Sequence, residues 1–264
     1  MIGTGTQADP YIPTTWAEFV TAVGTSGAYV ECEADAEWDM NDIAPEGISG
    51  YINIKCAELQ GNGATIKNLY CTYSGGFLQC TTANSKIYDI NFLNFYIKGY
   101  FVYTSTTYYF YGCRFSGLSE LNSTSYCIFY GYPPKFLVSP NTNKGCSFNI
   151  MAVSAALFDR GIFEDAHIKF KGKNLNLNSA TSDFKLTNCL VEGEFERAYY
   201  VRASACIFNC TCNSIGSLTY PDFNNTLVST DTVESYPSTA IAVTSEQLRD
   251  AEYLQSQGFP IGVD

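Results

Sequence analysis

The chain is predicted to be all-β, a parallel β-helix solenoid with a short helix capping each end. Three observations predict it. First, a short phrase recurs. Gly112-Cys113-Arg114-Phe115, Gly145-Cys146-Ser147-Phe148, Asn188-Cys189-Leu190-Val191 and Ala205-Cys206-Ile207-Phe208 each set a Cys and a large apolar residue two apart, on one face of a strand. Second, the phrase keeps a spacing near 22 residues. Ile90-Asn91-Phe92 and Ile168-Lys169-Phe170 fit it with Ile in the Cys position, and Ile66 lies 24 residues before Ile90. The intervals run 23 from Ile90 to Cys113, then 33 to Cys146, 22 to Ile168, 21 to Cys189 and 17 to Cys206. Such a period marks units that bury their apolar faces only against neighbours. Third, between the phrases lie turn formers, as in Gly61-Asn62-Gly63, Ser74-Gly75-Gly76 and Asn141-Thr142-Asn143-Lys144-Gly145.

In chain order, residues 1–28 read as an arm followed by a cap helix. Thr15 is an N-cap, Glu18 completes a capping box, and Trp16, Phe19, Val20 and Val23 form the apolar stripe. The first twelve residues carry no core pattern and are expected to be an extended arm free for docking. Residues 29–235 form the body, rich in β-branched and aromatic residues and almost without helical periodicity. The Leu-x-x-Leu-x-Leu phrase of leucine-rich repeats is absent, and a propeller needs a period of roughly 40. Two or three short strands per coil, stacked about 4.8 Å apart over eight or nine coils, give a rod on the order of 40 Å long. Residues 236–264 form the C-terminal cap segment. Its helix is expected over Thr244 to Leu254, stopped by Gly258 with Pro260 beyond.

Composition narrows function by exclusion. The 264 residues carry 15 basic against 26 acidic side chains, a net charge of −11. Nucleic acid is an unfavourable partner for such a chain, because binding it takes clustered cations. The longest near-apolar run, Ile150 to Phe158, is far short of the roughly twenty residues of a spanning helix, so no membrane partner is expected. Met1-Ile2-Gly3-Thr4-Gly5-Thr6 has neither the basic nor the apolar part of a secretion signal. The eleven cysteines, odd in number, read as reduced core residues of stacked strands.

The opening Gly3-Thr4-Gly5-Thr6-Gln7-Ala8-Asp9-Pro10-Tyr11-Ile12, followed by a Trp-containing helix, resembles the N-terminal entry of pectin-lyase-like right-handed β-helix proteins. Gly61-Asn62-Gly63-Ala64-Thr65-Ile66-Lys67-Asn68-Leu69 is similar to an early coil of that fold. The ending Asp250-Ala251-Glu252-Tyr253-Leu254 with Gly258-Phe259-Pro260-Ile261 resembles the tails of β-helix virion proteins from phages and prophages of gut Gram-positive bacteria. The resemblance implies a single-stranded right-handed parallel β-helix. It also implies a virion protein assembled in the host cytoplasm, with other virion proteins as partners and a homotrimer as a common state. The same fold family holds polysaccharide lyases, hydrolases and inert structural components, so reaction must be argued from residues.

Those residues favour a non-enzymatic structural protein displayed on capsid or tail, as decoration, fibre or receptor-binding unit. The alternative is a carbohydrate-active enzyme, a lyase or a glycoside hydrolase of the depolymerase kind. Its candidates are Asp165, in the cluster Asp159 to His167, and Glu192 and Glu194, which with Glu196 alternate onto one strand face. No Asp-x-Asp signature is present. His167 is the only histidine, which excludes a multi-histidine metal site. Cys206, Cys210 and Cys212 lack zinc-site spacing and read as core; no metal and no cofactor is expected.

Twenty tyrosines include the runs Tyr108-Tyr109-Phe110-Tyr111 and Tyr126 to Tyr132. Alternation sends half of each outward. Tyr108, Tyr109, Tyr111, Tyr130 and Tyr132 are therefore the candidate binding residues, for a host surface glycan or a protein partner, unless they simply ladder with the next coil. Tyr132-Pro133-Pro134-Lys135-Phe136 is the expected protruding loop.

Overall fold

The computed structural model describes residues 1–73, 76–97, 100–104, 108–119, 135–136, 146–152, 156–158, 161–176, 184–216 and 223–259. They are mostly strands in parallel sheets with few helices, as the all-β expectation requires. Each pass of the chain lays a strand in a first sheet, turns a corner and enters a second sheet. Most passes then add a strand to a third. The first sheet runs Tyr29–Glu31, Glu58–Gln60, Ser85–Tyr88, Tyr108–Tyr111, Lys135–Phe136, Gly161–Glu164, Phe184–Thr187, Val201–Ser204 and Phe223–Asn224, neighbours in chain order being neighbours in space. The second runs Glu37–Asp39, Thr65–Lys67, Asn91–Ile97, Arg114–Ser119, Ser147–Ala152, His167–Lys171, Leu190–Glu194, Ile207–Ile215, Leu227–Ser229 and Ile241–Val243. The third position holds two sets of strands: Ile52–Ile54, Gly76–Cys80 and Tyr100–Thr104 make a separate three-stranded sheet, whereas Ala156–Phe158, Asn174–Asn176, Arg197–Ala198 and Val233–Ser235 connect through the far end of Ile207–Ile215 to the second sheet.

The recurrent phrase is the corner between the first and second sheets. Asp35, Gly63, Asp89, Gly112, Asp165, Asn188, Ala205 and Asn225 all have positive φ, the left-handed region that Gly, Asn and Asp tolerate best. After the first pass, the residue following each of these turns inward: Ala64, Ile90, Cys113, Ala166, Cys189, Cys206 and Thr226 are buried, as is Cys146. Cysteine suits this position because it is small and apolar yet donates weakly. The thiols of Cys113, Cys189 and Cys206 donate across the corner to the carbonyls of Tyr111, Thr187 and Ser204, at 3.3–3.4 Å. Thr226 does the same to Asn224 with its hydroxyl, at 3.0 Å. The nine cysteines whose side chains are described are all buried free thiols.

Register corrects two assignments made from the pattern. Ile168 pairs with Phe148 and Val191, and Ile66 with Trp38 and Phe92, so both belong to the large apolar row two residues on. Ala166 and Ala64 hold the corner position instead. A one-line pattern of Ile and Phe could not separate two inward rows that differ only in distance from the corner. The large row runs Trp38, Ile66, Phe92, Phe115, Phe148, Ile168, Val191, Phe208 and Val228, all buried. Facing it, the first sheet contributes Val30, Leu59, Ile87, Phe110, Phe163, Leu186, Ala203 and Phe223. Phe115 stacks on Phe92 and Phe148 with ring centroids 5.6 and 5.1 Å apart. One continuous core results.

Both ends are closed, and neither closure follows the sequence pattern in detail. Trp16–Val23 is a helix with Thr15 as N-cap, but the Glu18 carboxylate accepts from the Thr14 N–H and hydroxyl at 2.9 Å rather than from Thr15. The helix sets Phe19 against Trp38, 4.8 Å between rings, over the first pass of the core. The first twelve residues are not a free arm. Ile2 bridges Ile12, Tyr11 N–H donates to Tyr29 and Glu31 N–H donates to Tyr11, so the segment covers the edge that Tyr29–Glu31 would otherwise leave unpaired. At the other end the expected single helix is broken. Gln247–Arg249 is a 3₁₀ turn, and Asp250, extended at ψ 106°, caps a separate helix, Ala251–Ser256. The strand Ile241–Val243 also carries the second sheet past residue 235. Leu248 and Phe259 pack there with Leu227 and Val243, with Ile207, Ile241, Tyr253 and Leu254 around them, as a second small apolar cluster. A short helix not expected from the pattern, Met40–Ile43, follows the first strand of the second sheet, capped by Asp39.

Candidate functional site

The outer face of the second sheet bears a groove of about 800 Å³ that crosses several passes of the chain. A bend in the sheet creates it. Between Thr65–Lys67 and Tyr70–Cys71, Asn68 adopts φ 58°; in the next pass Asn94, at φ 53°, is an extra residue opposite Arg114–Ser119, where the register shifts. Such a bulge bends the strand and re-aims its side chains. The two asparagines continue a polar ladder. Asn94 Nδ2 donates to Asn68 Oδ1 at 2.6 Å, and Asn68 Nδ2 to Asp39 Oδ1 at 2.9 Å.

Past the bend two glycines deepen the crease. A Cβ on Gly117 would fall 2.4 Å from the Phe95 carbonyl oxygen, and one on Gly193, at φ 117°, would fall 1.8 Å from that of Phe170. Only glycine permits this approach of backbone to backbone. Buried Leu69, Phe95 and Phe170 lie beneath. Tyr70 and Tyr96, paired in register with ring centroids 5.3 Å apart, form one end. Asn149, Lys169, Lys171 and Glu194 line the other. Tyrosine faces with asparagine amides suit a flat hydroxylated ligand, which stacks on one and hydrogen-bonds the other.

The candidates from sequence fall in three places. Glu194 is in the groove, but 2.9 Å from Lys171 Nζ, which holds its carboxyl below the ordinary range. A general acid needs a shift the other way. Glu192 stands two residues earlier and is engaged by His167 Nε2 at 2.7 Å and by Asn209 at 3.4 Å. Glu196 lies beyond the strand end, past buried Phe195, so the three glutamates do not share one strand face. Asp165 is a corner residue at φ 51°, accepting a hydrogen bond from Asn188 of the next corner; it is part of the scaffold. One Arg-x-x-x-x-Arg spacing occurs, Arg197 and Arg202. The corner between them puts Arg197 in the third sheet and Arg202 in the first.

Tyr108, Tyr109 and Tyr111 lie in the first sheet, away from the groove. Tyr111 stacks on Tyr88 at 4.5 Å and 10°, with Tyr109 parallel to it at 6.4 Å. Burial raises the Tyr111 hydroxyl and pushes that of Tyr88 up to about 12. This is the ladder arrangement, in which one ring occupies the next. Tyr130 and Tyr132 lie outside the described residues, as do Pro133 and Pro134; Lys135–Phe136 is not loop but a strand of the first sheet. Sequence reading missed Tyr70, Tyr96, Asn68 and Asn94. The signal was present, Tyr two residues after Asn in both passes, at a spacing of 26.

Among the described residues no group of three or more His, Cys, Asp or Glu is placed to hold a metal ion, and no helix is long and apolar enough to cross a membrane. Cys210 and Cys212, both buried with sulfurs 4.0 Å apart, lie on one face of their strand. No family model, no curated protein and no solved structure matches the chain.

Proposed function

We propose that the chain winds as a single right-handed parallel β-helix and serves as a non-enzymatic structural protein of a virion, carried on capsid or tail among other virion proteins, with the groove of the second sheet receiving a host surface glycan. The cyclic order of the sheets supports the winding, because parallel strands joined by crossovers are right-handed in nearly all proteins. The likeness of the C-terminal end to the tails of phage β-helix virion proteins supports the setting, and a core of free thiols fits assembly in a reducing compartment. The observation that carries the binding role is the groove itself, rigidly framed by paired strands and furnished with tyrosine and asparagine.

Glycan binding is tested by titrating oligosaccharides from host surfaces into the full chain. Tyr96→Ala is expected to weaken binding about tenfold or more, the equivalent of about 1.4 kcal/mol. Unchanged affinity refutes the groove. Because Glu194 lines it beside Lys171, the carbohydrate-active alternative is tested on the same polymers by release of reducing ends. Turnover that disappears in Glu194→Gln replaces binding with cleavage. Absence of the protein from purified particles, by mass spectrometry, refutes the virion setting.

A further inference from the structure

The polar side chains of the groove fall into two groups. Asn68 and Asn94 are engaged in the ladder to Asp39, and Lys171 in its pair with Glu194, so these hold the groove in shape. Ser116, Asn149 and Lys169 line it from three neighbouring passes, each in register with the next. All three are at least partly exposed, and among the described residues none has a hydrogen bond or ion pair from its side chain.

Lys169 is the informative one. It stands in register with Glu192, one strand away, yet makes no ion pair with it. The Glu192 carboxylate is engaged elsewhere: Oε2 meets His167 Nε2 at 2.7 Å and Oε1 accepts from Asn209 Nδ2 at 3.4 Å. An ammonium group without a counter-charge, on a concave surface whose other ions are paired, attracts an anionic ligand. Register also gives its place relative to the tyrosines. From Tyr96 the partners run through Leu118 and Met151 to Lys171, three strands on, or about 14 Å along the stack. Lys169 shares that strand and its outward face with Lys171.

We propose that the groove takes a sparsely charged glycan, one with a single carboxylate or phosphate about three sugars from the ring packed on Tyr96. This rests on the groove being a glycan site. An extended chain of pyranoses advances by roughly one strand spacing per sugar, so a ring at Tyr96 sets the third sugar beyond it beside Lys169. The ammonium group donates to the anion in a charge-assisted bond, while Ser116 and Asn149 hydrogen-bond hydroxyls of the sugars between. A second anion meets no free cation. Lys171 is already paired, and Glu192 and Glu194 repel a charge on an adjoining sugar. A polymer charged on every unit is therefore disfavoured.

The probes are two pairs of oligosaccharides titrated calorimetrically into the full chain. Sialyl-lacto-N-tetraose and its carboxyl methyl ester test a carboxylate; pentamannose with and without a terminal phosphate tests a phosphate. Hexagalacturonate, charged on every unit, is the control. In at least one pair the anionic member is expected to bind about three- to fivefold more tightly than its neutral twin, and which pair it is identifies the anion. That ratio should approach one in about 1 M salt, where charges are screened within about 3 Å. Lys169→Gln should abolish the ratio and Lys169→Arg keep it. Lys86→Gln, which removes the same charge from the first sheet, should leave it unchanged. Tyr96→Ala should weaken both twins about tenfold at constant ratio. Twins that bind equally, a ratio that survives Lys169→Gln or vanishes in Lys86→Gln, or hexagalacturonate binding more tightly than the anionic probes overturns the proposal. Equal twins that both depend on Tyr96 refute it alone. No binding by any probe, or no effect of Tyr96→Ala, refutes the glycan site and the proposal with it. Circular dichroism checks that Lys169→Gln folds; should it not, a wild-type ratio indifferent to salt overturns the proposal on its own.

Discussion

Replacing Phe115 by Ala tests whether the inward row of the second sheet is the stacked ladder that holds the molecule together. Phe115 is 1% exposed. It lies nearly parallel to Phe92 and Phe148, at 8° in both cases, and edge-on to Phe101 and Phe110 at centroid distances of 5.4 and 5.7 Å. Truncating a buried Phe to Ala costs about 3–5 kcal/mol, counting lost transfer and the cavity left behind. Four aromatic contacts at about 0.5–1.5 kcal/mol each place this site at the upper end, about 4–5 kcal/mol. For a chain this long the corresponding fall in Tm is about 10 °C. Urea unfolding followed by circular dichroism gives the free energy. Fluorescence adds a positional check, because Trp16 and Trp38 both lie in the N-terminal closure. The control is Arg114→Ala, one residue earlier and exposed, which should change stability by no more than about 0.5 kcal/mol. A slip of one residue would exchange the two faces. If Arg114→Ala costs as much as Phe115→Ala, or Phe115→Ala costs less than about 1.5 kcal/mol, the register is wrong.

Three further outcomes follow from the corners and closures. Ala205 holds φ 52° at a corner where other passes use Gly, Asn or Asp; Ala205→Gly should raise stability by about 1 kcal/mol, read as a higher urea midpoint at unchanged slope. The nine described thiols should resist a disulfide reagent such as DTNB until urea is added, since they are buried and burial pushes Cys32 and Cys56 up to about 12; rapid reaction of more than two of the eleven thiols in the folded protein would contradict the packed core. Asp231 accepts from the hydroxyls of Ser229 and Ser245 and from the Ser245 N–H, which lowers its carboxyl to about 2. Its folded pKa lies below the unfolded value near 3.9, so its contribution is complete above about pH 4 and is lost as pH falls through about 2. Melting curves of Asp231→Asn should accordingly show less acid dependence between those limits than wild type, and identical acid dependence would refute the assignment.

The all-β character was legible because it rests on period and alternation, which are properties of order along the chain. The Cys-x-large apolar phrase, the left-handed residue before it and the thiols buried after it all follow from one local requirement repeated at each corner. That is why Cys113, Cys146, Cys189 and Cys206 could be placed inside from sequence alone. Which inward row a residue joins is not local: Ile66 and Ile168 were set one row away because only pairing with Trp38, Phe92, Phe148 and Val191 measures their distance from the corner. The N-terminal segment looked free for the same reason, since its partner is an edge strand 18 residues after Tyr11.

Sites divide likewise. Sequence singled out Glu194 by its density of charge, but the fold, by laying Lys171 alongside, decided that it is an ion-pair partner. The groove depends on a bulge at Asn94 and on the absence of side chains at Gly117 and Gly193, and each matters only against the strand of a neighbouring pass. Residue chemistry and strand alternation were set by the sequence; which outward residues became neighbours was decided by tertiary stacking, since each pass restores register whatever the length of the loop between.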